Sequence, residues 1–323
     1  MIAEIFKRLD RLVISTISLA ASLFIICTSP IPASSFELII GTGPDGSFSH
    51  HSGKLLCRII AKQSREITCS LSDTGDPIDN LTNVQGGSLD LAIVDSLVLA
   101  ESTIGKGAFQ YLDIKYDLIR IITPLYEVPL TLIVRSDANM PTIEQLPGKR
   151  INTGTFGSPE NQLFEMFMRT QGWTEEMFPV FAELSPSLSQ DKLAFRQGDV
   201  QILVKGVHPD NDIKQLMNDT KASIVGFSSS GMVDLIIANP SLSRQNLNKF
   251  TYPSLSEKLS TFGTTMTLIA SADLDDEIVV SLVTALEQNK QLLQAVHPAL
   301  SSFDIDKRPQ WFESIKVHKA VLE

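Results

Sequence analysis

One local pattern occurs twice in this chain, and it limits the folds open to it. Residues Leu38 to Ser49 read LIIGTGPDGSFS. An apolar strand, Leu38–Ile40, enters a loop with Gly41, Gly43 and Gly46 and then a helix-like segment. The pattern returns at 150–162: strand Arg150–Asn152, loop Thr153–Ser158 (TGTFGS), and a helix from Pro159 to Thr170. Proline suits the first helical turn, where its missing N–H is not needed. Such a corner aims backbone N–H groups and a helix N-terminus at one small volume, which suits an anion or a polar ligand. Two corners facing one cleft form a clamp, and ligands of open α/β sheets sit beyond the carboxyl ends of strands.

The rest of the chain keeps the same rhythm. Helix Ser52–Gln63 carries Leu55, Leu56, Ile59 and Ile60 on one face, and strand Ile67–Leu71 follows. A short helix, Asp76–Gln85, opens with Asp76 as N-cap and Pro77 at its first position. Leu89–Val94 (LDLAIV) reads as a buried strand before a helix near Ser96–Ser102. Further strands are expected at Leu118–Thr123, Leu130–Val134, Phe178–Glu183, Val200–Val204, Ser223–Phe227 and Met266–Ala270. Helices are expected at Leu188–Gln197, Ile213–Asn218 and Asp275–Val296, with Trp311 and Phe312 packing back from the tail. Residues 239–262 mix Pro, Ser and Asn and show no clear period. Alternating strands and helices imply a largely parallel sheet covered by helices.

The N-terminus carries Lys7, Arg8 and Arg11, then an apolar stretch from Leu12 to Ile26 and a small-residue exit ending Pro32-Ala-Ser-Ser35. This order matches a secretory signal cleaved after Ala33 or Ser35, and its core is short of the roughly 20 apolar residues that span a bilayer. Phe24-Ile25-Ile26 before Cys27 lacks the small residue that lipidation wants. Loss of residues 1–35 removes three basic and two acidic residues, taking the net charge from −10 to −11. An acidic chain without a basic block argues against nucleic acid and against an anionic membrane surface. Two cysteines remain, Cys57 and Cys69. Export permits a disulfide between the first helix and the next strand, and two separate thiols are the alternative. No Cys/His spacing resembles a metal site.

Gly41-x-Gly43-x-x-Gly46 matches a dinucleotide fingerprint, but Asp73, the acid after the next strand, lies later than the usual spacing of about 20 residues. A tight turn feeding a helix explains the glycines as well. His50 and His51 open the first helix, where neighbours point about 100° apart and one ring faces solvent. No G-x-S-x-G elbow accompanies them, so neutral hydrogen bonding is favoured over catalysis. Asn80 can reach the cleft with both a donor and an acceptor. Asp95-Ser96 ends a strand at the sheet's carboxyl edge, with helix capping as Asp95's plain role. Thr155, Gly157 and Ser158 offer hydroxyls and loop backbone, and Gly206-Val-His208-Pro209 forms a third loop at that edge.

In this order, the pieces resemble the solute-binding proteins of the TAXI type, receptors of tripartite ATP-independent periplasmic (TRAP) transporters. The resemblance rests on GTGPDGSFSHHSG at 41–53, DPIDNL at 76–81, GSLDLAIVDS at 87–96, LIVRSD at 132–137, LPGKRINTGTFGS at 146–158, KGVHP at 205–209 and TLIASADLDDEIVVSLVTAL at 267–286. It departs where Phe48 is followed by Ser49 rather than a second aromatic, and where His50-His51 replaces apolar or Pro residues. The resemblance implies an α/β, type II periplasmic-binding-protein fold with two lobes, a cleft and a two-strand hinge. It implies a cleft lined by Gly43, Ser47, Phe48, Asn80, Asp95, Ser96, Thr155, Gly157, Ser158 and His208.

The expected function is capture of a small organic anion, glutamate- or dicarboxylate-like, in the periplasm and its delivery to a TRAP-type permease. No catalysis, cofactor, metal or nucleic-acid partner is expected, and the chain is expected to act as a monomer. Loop amides would bind the carboxylate, supplemented by a protonated His or Lys205, with Phe48 over the apolar part. The expected lobes are 36–125 plus 273–323 and 126–272, hinged near Tyr126–Val128 and Ala270–Asp273. The alternatives are an orphan receptor feeding a sensor, a surface interaction protein, and, less favoured, an exported enzyme.

Overall fold

A computed structural model describes residues 36–64, 66–73, 75–140, 142–156, 158–184, 189–249, 251–309 and 315–322. The expected signal segment, Gly157, Trp311 and Phe312 lie outside them. In chain order the first elements are β1 (Phe36–Gly41), α1 (Phe48–Gln63), β2 (Ile67–Ser72), α2 (Pro77–Gln85), β3 (Leu91–Asp95), α3 (Ser96–Ile104) and β4 (Ile119–Pro129). Then follow β5 (Thr131–Val134), β6 (Arg150–Asn152), α4 (Pro159–Gln171), β7 (Val180–Ala182), α5 (Ser189–Gln197), β8 (Ile202–Lys205), α6 (Asn211–Thr220), β9 (Ser223–Gly226) and α7 (Ser230–Ala238). The last are β10 (Ser243–Leu247), β11 (Leu259–Ser271), α8 (Asp276–Gln288) and α9 (Lys290–Val296).

The strands form two open sheets. The first has the order β10-β11-β3-β1-β2, with β4 also on β11, and the second β7-β6-β8-β5-β9. In each, parallel strands end beside one antiparallel strand: β11 next to β3, and β5 next to β8. β11 pairs on one edge with β10 and then β3, and on the other with β4. β3 is buried along its whole length, and its residues alternate between two cores. Leu91 and Ile93 meet α1 and α8, while Ala92 and Val94 meet α2 and α3. This is the signature of a strand covered by helices on both faces. The second sheet behaves alike: Leu132 and Val134 face one cluster and Ile133 the other.

Several differences from the expected elements have local causes. β4 merges the expected strand at 118–123 with the crossing segment, and the chain enters the second sheet at Leu130. β10 and β11, which the expected boundary placed with the second lobe, pair in the first sheet. Tyr252 and Gln245 in the unpatterned 239–262 stretch are fully buried, so polar residues there mask a core-facing segment. The expected long C-terminal helix breaks at Asn289, whose side chain donates to the Ala285 carbonyl at 2.8 Å. Cys57 and Cys69 are joined by a disulfide that ties α1 to β2, with Cα atoms 5.2 Å apart.

Candidate functional site

The first corner is pinned from several sides. A Cβ on Gly41 would collide with Asn80 Oδ1 and lie 2.6 Å from Leu89 Cδ1, so only glycine lets α2 approach β1. Asn80, buried, donates to the Thr42 carbonyl at 3.1 Å. Gly43 N–H donates to Ser49 Oγ at 3.0 Å, and Ser47 Oγ lies 3.0 Å from the same hydroxyl. Ser47 also caps α1, accepting from His50 N–H at 3.2 Å. The two histidines divide as helix geometry demands. His50 is buried, with Nδ1 3.1 Å from Thr42 Oγ1 and Nε2 3.2 Å from Asp45 Oδ1, whereas His51 is exposed.

The second corner uses asparagines instead. Asn152 Oδ1 accepts from Gly154 N–H at 3.1 Å and Leu184 N–H at 2.9 Å, and Asn161 Nδ2 donates to Thr153 Oγ1 at 2.9 Å. Gly154 holds a φ of +92°, a left-handed conformation that a side chain resists. Ser158 caps α4 by accepting from Asn161 N–H at 3.3 Å. Thr155 and Phe156 stand exposed at the tip, Phe156 at 75%.

Both corners are led to the end of β4. The Phe48 ring sits edge-on to Tyr126, with centroids 4.8 Å apart, and 4.5 Å from His297. From the second lobe, a Cβ on Gly206 would lie 2.7 Å from Val128 Cγ1 and 2.8 Å from Glu160 Oε1. Glu160, at the start of α4, and Gly206, just past β8, therefore meet β4 beside Tyr126. Burial raises the Tyr126 hydroxyl well above its ordinary pKa; the Ser52 bond opposes this, and Asp95 and Glu160 add to it.

The remaining expected site residues are engaged inside the protein. Asp95 is buried; it caps α3 by accepting from Leu97 N–H at 2.8 Å, and Thr264 Oγ1 on β11 donates to its other oxygen. Burial pushes this carboxyl up to about 6, against the bonds from Thr264 and the α3 amides, and Glu160 raises it further. Ser96 Oγ donates to the Ser241 carbonyl at 2.9 Å and accepts from Thr265 N–H at 3.0 Å. His208 is also buried, and burial first, then the Lys205 charge, push it down to about 3. Its ring lies 2.7 Å (Nδ1) from Tyr252 Oη and 2.9 Å (Nε2) from Thr131 Oγ1. Because Tyr252 Oη already accepts from Asp210 N–H at 3.1 Å, its proton goes to Nδ1 and Nε2–H donates to Thr131. His208 is thus neutral, with both ring nitrogens used by the protein.

Sequence reasoning missed Tyr126, Glu160, Tyr252 and Thr264. Glu160 follows Pro159 in the first turn of a helix, a position with a readable meaning. The other three acquire theirs from partners far along the chain. Among the described residues no group of three or more His, Cys, Asp or Glu is placed to hold a metal ion. Two surface hollows lie away from these corners, one beside Arg120 and Lys316 and one beside Trp173 and Glu175. No helix of the described residues is long and apolar enough to cross a membrane.

Two open-sheet α/β lobes, joined by strands that pass between them, make up the periplasmic-binding-protein fold expected from the sequence. The profile of the NMT1-like family matches residues 40–319, and the chain belongs to that family. The solved structure of a protein from Bordetella bronchiseptica RB50 is similar, at 14% identity and a TM-score of 0.51, over 80% of this chain and 72% of that one. At that identity the likeness speaks to the fold alone. The periplasmic sulfonate-binding protein SsuA of Methylobacillus flagellatus KT is 13% identical with a TM-score of 0.49, over 81% and 70% of the two chains. MatC from Rhodopseudomonas palustris with bound malate is 13% identical, TM-score 0.49, over 79% and 84%.

Proposed function

We propose that this protein is a periplasmic receptor that captures a small organic anion and presents it to a TRAP-type permease, acting as a monomer. The observation that carries the reading is the pair of strand–loop–helix corners, one per lobe, led to the same end of β4 around Tyr126. The N-termini of α1 and α4, with Lys205 at the end of β8, supply the positive potential for a carboxylate. Phe48 and Tyr126 form an apolar wall, and exposed Phe156 offers cover from the second lobe. Glu160 at the start of α4 favours a ligand that also carries an ammonium group, so a glutamate-like solute suits this site better than a plain dicarboxylate. Closure follows because the ligand binds the closed arrangement more tightly than the open one. The partner permease is inferred from the motif resemblance alone, and a TRAP permease encoded beside this chain would support it.

Native mass spectrometry of the purified protein, followed by thermal melts with glutamate and with malate, tests the reading. A true ligand at a hundredfold excess over its Kd adds about 2.7 kcal/mol and a clear rise in Tm. Glu160→Gln is expected to weaken an ammonium-bearing ligand more than malate. A protein that carries no small molecule and melts unchanged with both would overturn the assignment.

A further inference from the structure

A second feature lies at the opposite end of β4, roughly 25 Å from the crossing by strand rise, and does not depend on the ligand cleft. Residues 316–318 run beside the strand: Ile121 N–H donates to the Lys316 carbonyl at 3.0 Å, and His318 N–H donates to the Ile121 carbonyl at 2.9 Å. This forms a parallel bridge between Ile121 and Val317. Strand alternation then sets Arg120, Lys316 and His318 on one face. They line a hollow of about 490 Å³ together with Lys319 and Leu322.

The charges there do not cancel. Lys319 Nζ is matched by Asp276 Oδ2 at 2.6 Å. Among the described residues, Arg120 donates to two backbone carbonyls, those of Asp117 and Ile119, and to no carboxylate, and Lys316 has no ion-pair partner. Among the described residues, two cations without a carboxylate partner thus share one hollow in a chain of net charge −10. Below them, the His318 imidazole is 1% exposed. Its Nδ1 accepts from Ala320 N–H at 3.4 Å, so Nε2 carries the proton. The Leu274 carbonyl also draws on the ring, yet Nε2 has no acceptor in hydrogen-bond geometry. A buried donor left unpaired is destabilising, so an acceptor reaching Nε2 would be stabilised.

We propose that this hollow is an anion site for a phosphate group, gripped by Arg120 and Lys316 with the His318 Nε2–H as its floor. A guanidinium fork beside an ammonium suits a tetrahedral oxyanion. The phosphate group is either free in solution or carried by an anionic lipid headgroup.

The test uses the whole chain at low ionic strength, titrated with inorganic phosphate by calorimetry. In parallel, its co-flotation is measured with vesicles of phosphatidylcholine alone and of phosphatidylcholine with phosphatidylglycerol. Binding of inorganic phosphate supports a free anion. Binding only to the phosphatidylglycerol vesicles supports a lipid headgroup. In either case the surface double variant Arg120→Gln/Lys316→Gln should weaken binding at least about tenfold, the loss expected when two charge-assisted bonds go. Bound phosphate should also shift the His318 Nε2–H resonance. No binding by either probe, equal binding by the double variant, or an unmoved His318 resonance would each overturn the proposal.

Discussion

The two corners share an outline and differ in how they are held. In the first, glycine serves contact: Gly41 has no room for a side chain because Asn80 and Leu89 press against it from α2 and its following loop. In the second, glycine serves conformation: Gly154 has only Ser158 Oγ nearby, at 3.3 Å from a built Cβ, but sits at φ +92°. The polar groups behind the corners differ too. The first lobe buries an acid, Asp95, whose ionisation burial opposes, and the second buries a base, His208, whose protonation burial opposes. One outline therefore tolerates opposite chemistry, because each lobe need only deliver a loop and a helix N-terminus to the crossing.

The largest test of this contrast is pH. His208, pushed down to about 3 from an ordinary 6.5, binds fewer protons folded than unfolded. Its contribution is present above pH 6.5 and is lost as pH falls toward 3. Asp95, pushed up to about 6 from 3.8, binds more protons folded, so its contribution is present below pH 3.8 and is lost as pH rises through 6. At about 1.4 kcal/mol per pKa unit, each is worth on the order of 3–5 kcal/mol across its window, His208 the more. Denaturant midpoints from pH 4 to 8 should show the wild-type advantage over His208→Gln shrinking with acid, and that over Asp95→Asn shrinking with base. Parallel profiles for both variants and the wild type would remove the contrast.

The glycines give the next effect. Gly41→Ala should cost about 2–4 kcal/mol by displacing Asn80, and Gly154→Ala about 1–2 kcal/mol through backbone strain. Adding Asn80→Ala should relieve much of the Gly41→Ala clash, making that pair strongly non-additive, while Asn80→Ala and Gly154→Ala should simply add. Urea unfolding of the single and double variants checks this. Smallest are the caps: Ser47→Ala and Ser158→Ala should each cost about 1 kcal/mol. Ser47 should cost more, because its hydroxyl also holds Ser49 beside Gly43.

Much of the scaffold was legible because it follows from neighbours in sequence. Asp76 caps α2 ahead of Pro77 as read, whereas Ser158, expected as a loop hydroxyl, caps α4 ahead of Pro159. Within the LDLAIV run, the apolar residues Leu91–Val94 lie in a strand buried on both faces, as a short apolar run between helices implies. The stretch 239–262 was opaque because β10 is mostly polar and Gln245 turns inward, its amide donating to the Thr264 carbonyl at 2.7 Å. No periodicity announces a buried glutamine. The candidate site was legible as positions rather than as roles. Asn80 is expected to reach the cleft, and its amide donates to the Thr42 carbonyl of the first loop.

The sequence alone determined where the proline-marked helices α2 and α4 begin, that the LDLAIV strand is buried and that one corner is built twice, since capping, side-chain alternation and glycine conformation act over a few residues. Tertiary structure alone decided the state of the polar groups. Asp95 meets Thr264 across 169 positions, and His208 meets Thr131 and Tyr252 across 77 and 44. Those partners set both burial and proton affinity, and neither quantity is carried by a residue's neighbours in the chain.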